Sequence, residues 1–206
     1  MIDTVTLLTF VPAALALNLT PGADMMFCLG QGLRGGPRAA LAADAGIALG
    51  AMVHVSVAGL GLGALVTASP WLFDAIRWVG VAYLLWLAVS ALREGAITPD
   101  VPQVRPSRAF REALVVNLTN PKVILFVLAF VPQFVDPARG DVLPQFLVLG
   151  LILSAGGLVV NGLVGVFAGS IGRGIARSPR FGVVLAWVSA SVFAGLALKL
   201  ALNKRS

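Results

Sequence analysis

Two long apolar runs in this chain are each interrupted by a proline inside nearly the same short motif. The first reads Asn18-Leu19-Thr20-Pro21-Gly22-Ala23-Asp24 and the second Asn117-Leu118-Thr119-Asn120-Pro121-Lys122. Proline removes a backbone donor and clashes with the preceding turn, so a helix breaks there. Thr20 and Asn120 are good N-cap residues, and Pro21 and Pro121 suit the first position of a new helix. The motifs predict two discontinuous membrane helices, each restarting near mid-membrane.

The membrane itself follows from composition. Of 206 residues 58% are hydrophobic and only 12% charged, where a soluble domain carries roughly 25% charged residues. Mean hydropathy is +0.94. The net charge of +6 would point to nucleic acid in a soluble protein. Here no basic run exceeds Lys204-Arg205, so the charge reads as loop residues holding orientation, and no nucleic-acid partner is expected. Cys28 is the one cysteine, which excludes an internal disulfide and a paired-thiol electron carrier. Met1-Ile2-Asp3 lacks the basic start of a signal peptide, so the first apolar run is expected to stay.

A span needs ~20 mainly apolar residues. Six stretches qualify: Val5–Gln31, Ala39–Val66, Trp71–Leu92, Ala113–Phe134, Val142–Ile171 and Phe181–Leu202. A tight Ser69-Pro70 turn leads into the third, and the polar segment Arg93–Arg111 reads as a loop. Basic residues favour the cytoplasmic side. Arg34 and Arg38, then Arg93, Arg105, Arg108 and Arg111, then Arg173, Arg177 and Arg180 fall on one side, against Arg77 and Arg139 on the other. Both termini are then periplasmic, with Lys204 and Arg205 counting against.

The fold class expected is an all-α integral membrane protein of a single domain, 1–206. Six transmembrane helices form two inverted three-helix repeats: repeat one over about 1–93, a loop over about 94–110, and repeat two over about 111–206. Three spans per half turn the second half upside down, as in secondary transporters. Trp78-Val79-Gly80 echoes Trp187-Val188-Ser189 at the corresponding place. Gly46 with Gly50, Gly59 with Gly63, Gly165 with Gly169, and Ala186, Ala190 and Ala194 let helices approach closely. That is a packing pattern, and a homodimer face is a further use of it.

Helix starts offer free backbone N–H groups and a partial positive charge, which suits a carboxylate. Asn18, Thr20, Pro21, Gly22, Asp24, Asn117, Asn120, Pro121 and Lys122 are the expected substrate-binding set, with Gly22 allowing close backbone approach. Asp24 sits in a first turn, where an acid is favoured; Lys122 also begins a helix, where a cation is disfavoured, so Asp24 or a substrate carboxylate should balance it. A purely structural Asp24–Lys122 pair is the alternative. Asn18, Asn117 and Thr119 are expected to satisfy backbone groups freed at the breaks. Asp24, Asp44 and His54 are the proton-coupling candidates. His54 bonded to a carbonyl, Asp44 paired with Arg34 or Arg38, and Asp74 paired with Arg77 are the plainer readings. Asn161 either lines the cavity or bonds a neighbouring helix.

Taken together, these stretches resemble the lysine-exporter (LysE) superfamily in its homoserine/threonine-resistance (RhtB) branch. The likeness covers nearly the whole chain. It rests on Asn18–Gly22 followed by Asp24, Gly35-Gly36-Pro37-Arg38, Gly46-Ile47-Ala48-Leu49-Gly50, Ala82-Tyr83-Leu84, Phe110-Arg111, Asn120-Pro121-Lys122 and Pro132-Gln133-Phe134. The family pattern Pro-Gly-Pro reads Pro21-Gly22-Ala23 here. The resemblance implies a multi-pass exporter of amino acids or their derivatives in the bacterial inner membrane. It would run on protons and need no cofactor and no metal. The runner-up is a divalent metal-ion exporter, disfavoured because hard cations want several oxygen ligands and only Asp24 and Asp44 are at hand.

Overall fold

The structure, a computed structural model, describes residues 2–68, 70–93, 105–168 and 179–202. Its helices are α1 (Thr4–Leu19), α2 (Ala23–Ala68), α3 (Pro70–Arg93), α4 (Pro106–Leu118), α5 (Pro121–Leu125), α6 (Val142–Val166) and α7 (Pro179–Leu202). A π turn at Phe126–Phe130 and 3-10 turns at Val131–Phe134 and Pro137–Arg139 join α5 to α6. No strand occurs among the described residues. The 94–104 segment, Ser69, Gly169, Arg173, Arg177, Lys204 and Arg205 lie outside the described residues, as do the side chains of Asp74, Arg77 and Arg180.

Both helix breaks are present. Within α2, 46 residues would span roughly 70 Å at 1.5 Å per residue, about twice a ~30 Å hydrocarbon layer. Two helical stretches in fact meet at Gly36, with φ 73° and ψ −175°. Only glycine adopts that conformation readily. The 1–2 loop expected from the sequence thus shrinks to a one-residue joint. α2 and α6 are long and apolar enough to cross a membrane. The pair Pro106–Leu118 and Pro121–Phe134, bent by 51°, adds a third span when counted as one.

Two boundaries differ from the sequence reading. α4 starts at Pro106, well before Ala113, because Arg105 is extended and proline supplies the first helical position. An exposed Arg108–Glu112 pair at 2.6 Å supports that turn. The first break restarts at Ala23 and not at Pro21. The Gly22 carbonyl accepts the first bond, from the Met26 amide at 2.9 Å, so Gly22 is the cap. Thr20 instead ends α1, with ψ 119°, the extended form imposed on a residue before proline.

α2 packs on α6 and α4, α3 packs on α7, and α1 lies against α6 and α7. Glycines set these approaches. A side chain at Gly46 would strike the Phe110 carbonyl, and one at Gly32 the Gly165 carbonyl. Phe10 of α1 packs against Phe134 and Phe126 at 5.2 and 6.4 Å, and Phe130 bridges those two at 4.8 Å each. Around this core the outward faces stay apolar, with Trp78, Trp86, Leu151, Leu163 and Trp187 exposed. Such faces suit lipid as solvent.

Candidate functional site

The two breaks meet at one small cavity of about 30 Å³. Asn18, Asp24, Asn117, Ser154 and Asn161 supply its polar lining, and Leu17, Ile47, Val123, Leu153 and Leu158 most of the rest. Water's share of liquid volume is about 30 Å³, so the space fits a small head group and not a whole amino acid. Of the expected binding set, Asn18, Asp24 and Asn117 line it.

Asp24 reaches the cavity from the first turn of α2. Its Oδ2 accepts a hydrogen bond from Asn117 Nδ2 at 2.8 Å, while its buried Oδ1 has no partner. Asn117 is held from two sides. Pro121 has no N–H for the Asn117 carbonyl, four residues earlier. The Asn120 amide takes that carbonyl at 3.0 Å, and His54 Nε2 lies 3.2 Å from it. His54 therefore takes the carbonyl-bonded alternative. Asn18 Nδ2 donates to the Leu153 carbonyl of α6 at 3.1 Å. Asn18 and the side chain of Asn117 thus tie helices together; it is Thr119 that serves its own break, bonding the Val115 carbonyl at 2.9 Å.

Thr20, Pro21, Gly22, Asn120, Pro121 and Lys122 shape the breaks and do not line the cavity. The Thr20 hydroxyl donates back to the Ala16 carbonyl at 2.6 Å. Asn120 Oδ1 accepts from the Lys122 amide at 3.0 Å, capping α5. Lys122 Nζ donates to the Thr20 carbonyl at 2.6 Å. A side chain at Gly22 would come within 3.2 Å of that ammonium, so the room left by Gly22 holds Lys122. A cation is favoured at the C-terminal end of α1, which resolves its awkward place at the start of α5.

Asp44 lies apart from the cavity, 1% exposed in the core between α2 and α6. Gly162 makes space for it, since a side chain there would meet Asp44 Oδ2 at 2.9 Å. Neither oxygen reaches hydrogen-bond geometry; Asn161 is the polar group set against it. The plainer reading, a pair with Arg34 or Arg38, is not formed.

Sequence reasoning missed Tyr83 and Ser154 as site residues. Tyr83 of α3 donates to the Lys122 carbonyl at 3.0 Å, steadying the second break. Ser154 donates to the Ala48 carbonyl at 3.3 Å. The signal available was a lone hydroxyl in an otherwise apolar span.

A buried carboxylate where two broken apolar helices cross defines an integral membrane protein with a polar site inside it. The chain belongs to the LysE type translocator family, whose profile matches residues 15–204, a family of translocators and not of enzymes. It is 36% identical over 201 residues to an uncharacterized membrane protein of Vibrio cholerae, covering 96% of this chain and 97% of that one. It is 38% identical over 138 residues to a homoserine/homoserine lactone efflux protein of Salmonella typhimurium, covering 66% of each and leaving a third of that protein unmatched. A leucine efflux protein of Klebsiella pneumoniae is 34% identical over 152 residues, 71% of each. No solved structure matches.

Proposed function

We propose that this protein exports an amino acid, or a close derivative, across the bacterial inner membrane at the expense of the proton gradient. The observation that carries the reading is Asp24: a carboxylate with one unpartnered oxygen, in a cavity at both helix breaks, in a translocator family. An ionisable group at that depth is costly and marks a path for substrate or proton. The efflux relatives supply the substrate class, with homoserine and leucine the first to test. Asn18, Asp24 and Asn117, with Asn161, form the binding site. Thr20, Pro21, Gly22, Asn120, Pro121 and Lys122 hold its shape. Asp24, Asp44 and His54 are the candidates for carrying the proton.

Six spans in two inverted repeats suit this work, and the packing supports them. Exchanging the halves maps the α1–α6 contact onto that of α4 with α2, and the α1–α7 contact onto that of α3 with the π turn. α2 with α6, and α3 with α7, map onto themselves. Asn18 on α6 and the Asn117 carbonyl beside His54 likewise correspond. The loop arginines favour periplasmic termini. The metal-ion reading has no ligand set behind it: among the described residues no three of His, Cys, Asp and Glu gather.

The test loads cells with dipeptides that release leucine or homoserine and follows efflux. Efflux should need the protein and collapse with an uncoupler while internal substrate stays high. Equal efflux without the protein contradicts export, and concentrative efflux under the uncoupler contradicts proton coupling.

A further inference from the structure

The cavity presents acceptors, because its donors are engaged elsewhere. Asn18 gives an amide hydrogen to Leu153, Ser154 gives its hydroxyl hydrogen to Ala48, and Asn117 gives an amide hydrogen to Asp24. Asp24 Oδ1 and Asn117 Oδ1 stay buried and unpartnered, the latter on a side chain only 1% exposed. The amide orientation of Asn117 follows from its neighbour: a carboxylate only accepts, so the NH₂ must face it. No Lys, Arg or His lines the cavity.

The places that would suit a carboxylate are filled from within the chain. The start of α2 already has Asp24 in its first turn. The start of α5 is capped by Asn120. The Lys122 ammonium lies on the Thr20 carbonyl. A second carboxylate here would face Asp24 as a like charge, whereas an ammonium brings three donors and the opposite charge. The space of about 30 Å³ matches such a head group, with the remainder of the ligand displacing the apolar lining.

We infer that this site recognises the ammonium group of its substrate and leaves the carboxyl group unread, so that primary amines with a masked carboxyl, such as amides, esters and lactones, bind as the free amino acids do. This rests on the exporter reading and narrows it. Lys122 is then a structural cation and not the carboxylate's partner.

Calorimetric titration of the purified protein in nanodiscs tests it, with leucine, homoserine, leucinamide, leucine methyl ester and N-acetyl-leucine. Leucine, leucinamide and the ester should bind within about threefold of one another, since no group of the site is left unpaired by masking the carboxyl. N-acetyl-leucine should bind roughly a hundredfold more weakly, because it lacks the charged donor. Asp24→Asn should weaken leucinamide by about tenfold or more. Leucine binding without leucinamide binding, or N-acetyl-leucine binding as leucine does, overturns the inference and leaves the exporter reading standing. If neither leucine nor homoserine binds, with or without a masked carboxyl, the exporter reading fails and the inference falls with it. The wild-type series decides this even where Asp24→Asn does not fold.

Discussion

The two breaks begin with the same three residues and end differently. Asn18-Leu19-Thr20 runs straight into Pro21, while Asn117-Leu118-Thr119 is followed by Asn120 before Pro121. That one extra residue faces forward and caps α5. Both threonines bond backward, to Ala16 and to Val115. The second break therefore satisfies itself locally. The first has only Gly22 to restart its helix, and it completes itself with groups from the second: Lys122 on the Thr20 carbonyl and Asn117 on Asp24. A repeated motif has thus become one interlocked site. One copy supplies the carboxylate and the other supplies the groups that place it.

That asymmetry can be broken by mutation. Lys122→Met removes a hydrogen bond from a charged group and should cost about 1.5–3 kcal/mol, read as a lowered unfolding temperature in detergent. Asn120→Ala removes an ordinary cap and should cost about 1 kcal/mol. Equal losses would mean that the first break does not depend on the second for its cation. The smallest effect concerns the far end of α1. Asp3 accepts from the Thr6 amide at 2.7 Å and pairs with Arg139 from the loop after the second break, another group the first half borrows. The Thr6 amide holds the Asp3 carboxyl below its ordinary value of 3.8. Folding thus favours the charged form, and the contribution is full above that value and lost as pH falls through the lowered one. The gap in unfolding temperature between wild type and Asp3→Asn should be small and should close on acidification; a gap that persists in acid would remove the cap from the account.

Both breaks were legible because proline acts locally: it removes a donor whatever surrounds it. Asn120 and Pro121 took the expected cap and first position for the same reason. Thr20 and Pro21 did not, since a residue before proline is pushed to the extended form and its hydroxyl turned back to Ala16. The partners of Lys122, His54 and Asn117 were not readable to this degree. They depend on which carbonyls two distant segments leave open when they cross, and periodicity does not carry that information. Asp44 shows the same limit: charge counting pointed to Arg34 or Arg38, but the missing side chain at Gly162 decides where it lies. The helical start at Pro106 was hidden because the polar, proline-bearing sequence there reads as loop until α4 packs on α2.

The central claim is that the first break holds the substrate through Asp24, while the cap of the second is structural. Efflux of leucine and homoserine from dipeptide-loaded cells tests it, comparing wild type, Asp24→Asn and Asn120→Ala at matched membrane levels. Asn120→Ala should export near the wild-type rate, and Asp24→Asn should fall to the rate of cells lacking the protein. Wild-type efflux from Asp24→Asn, together with its loss in Asn120→Ala, would contradict the account.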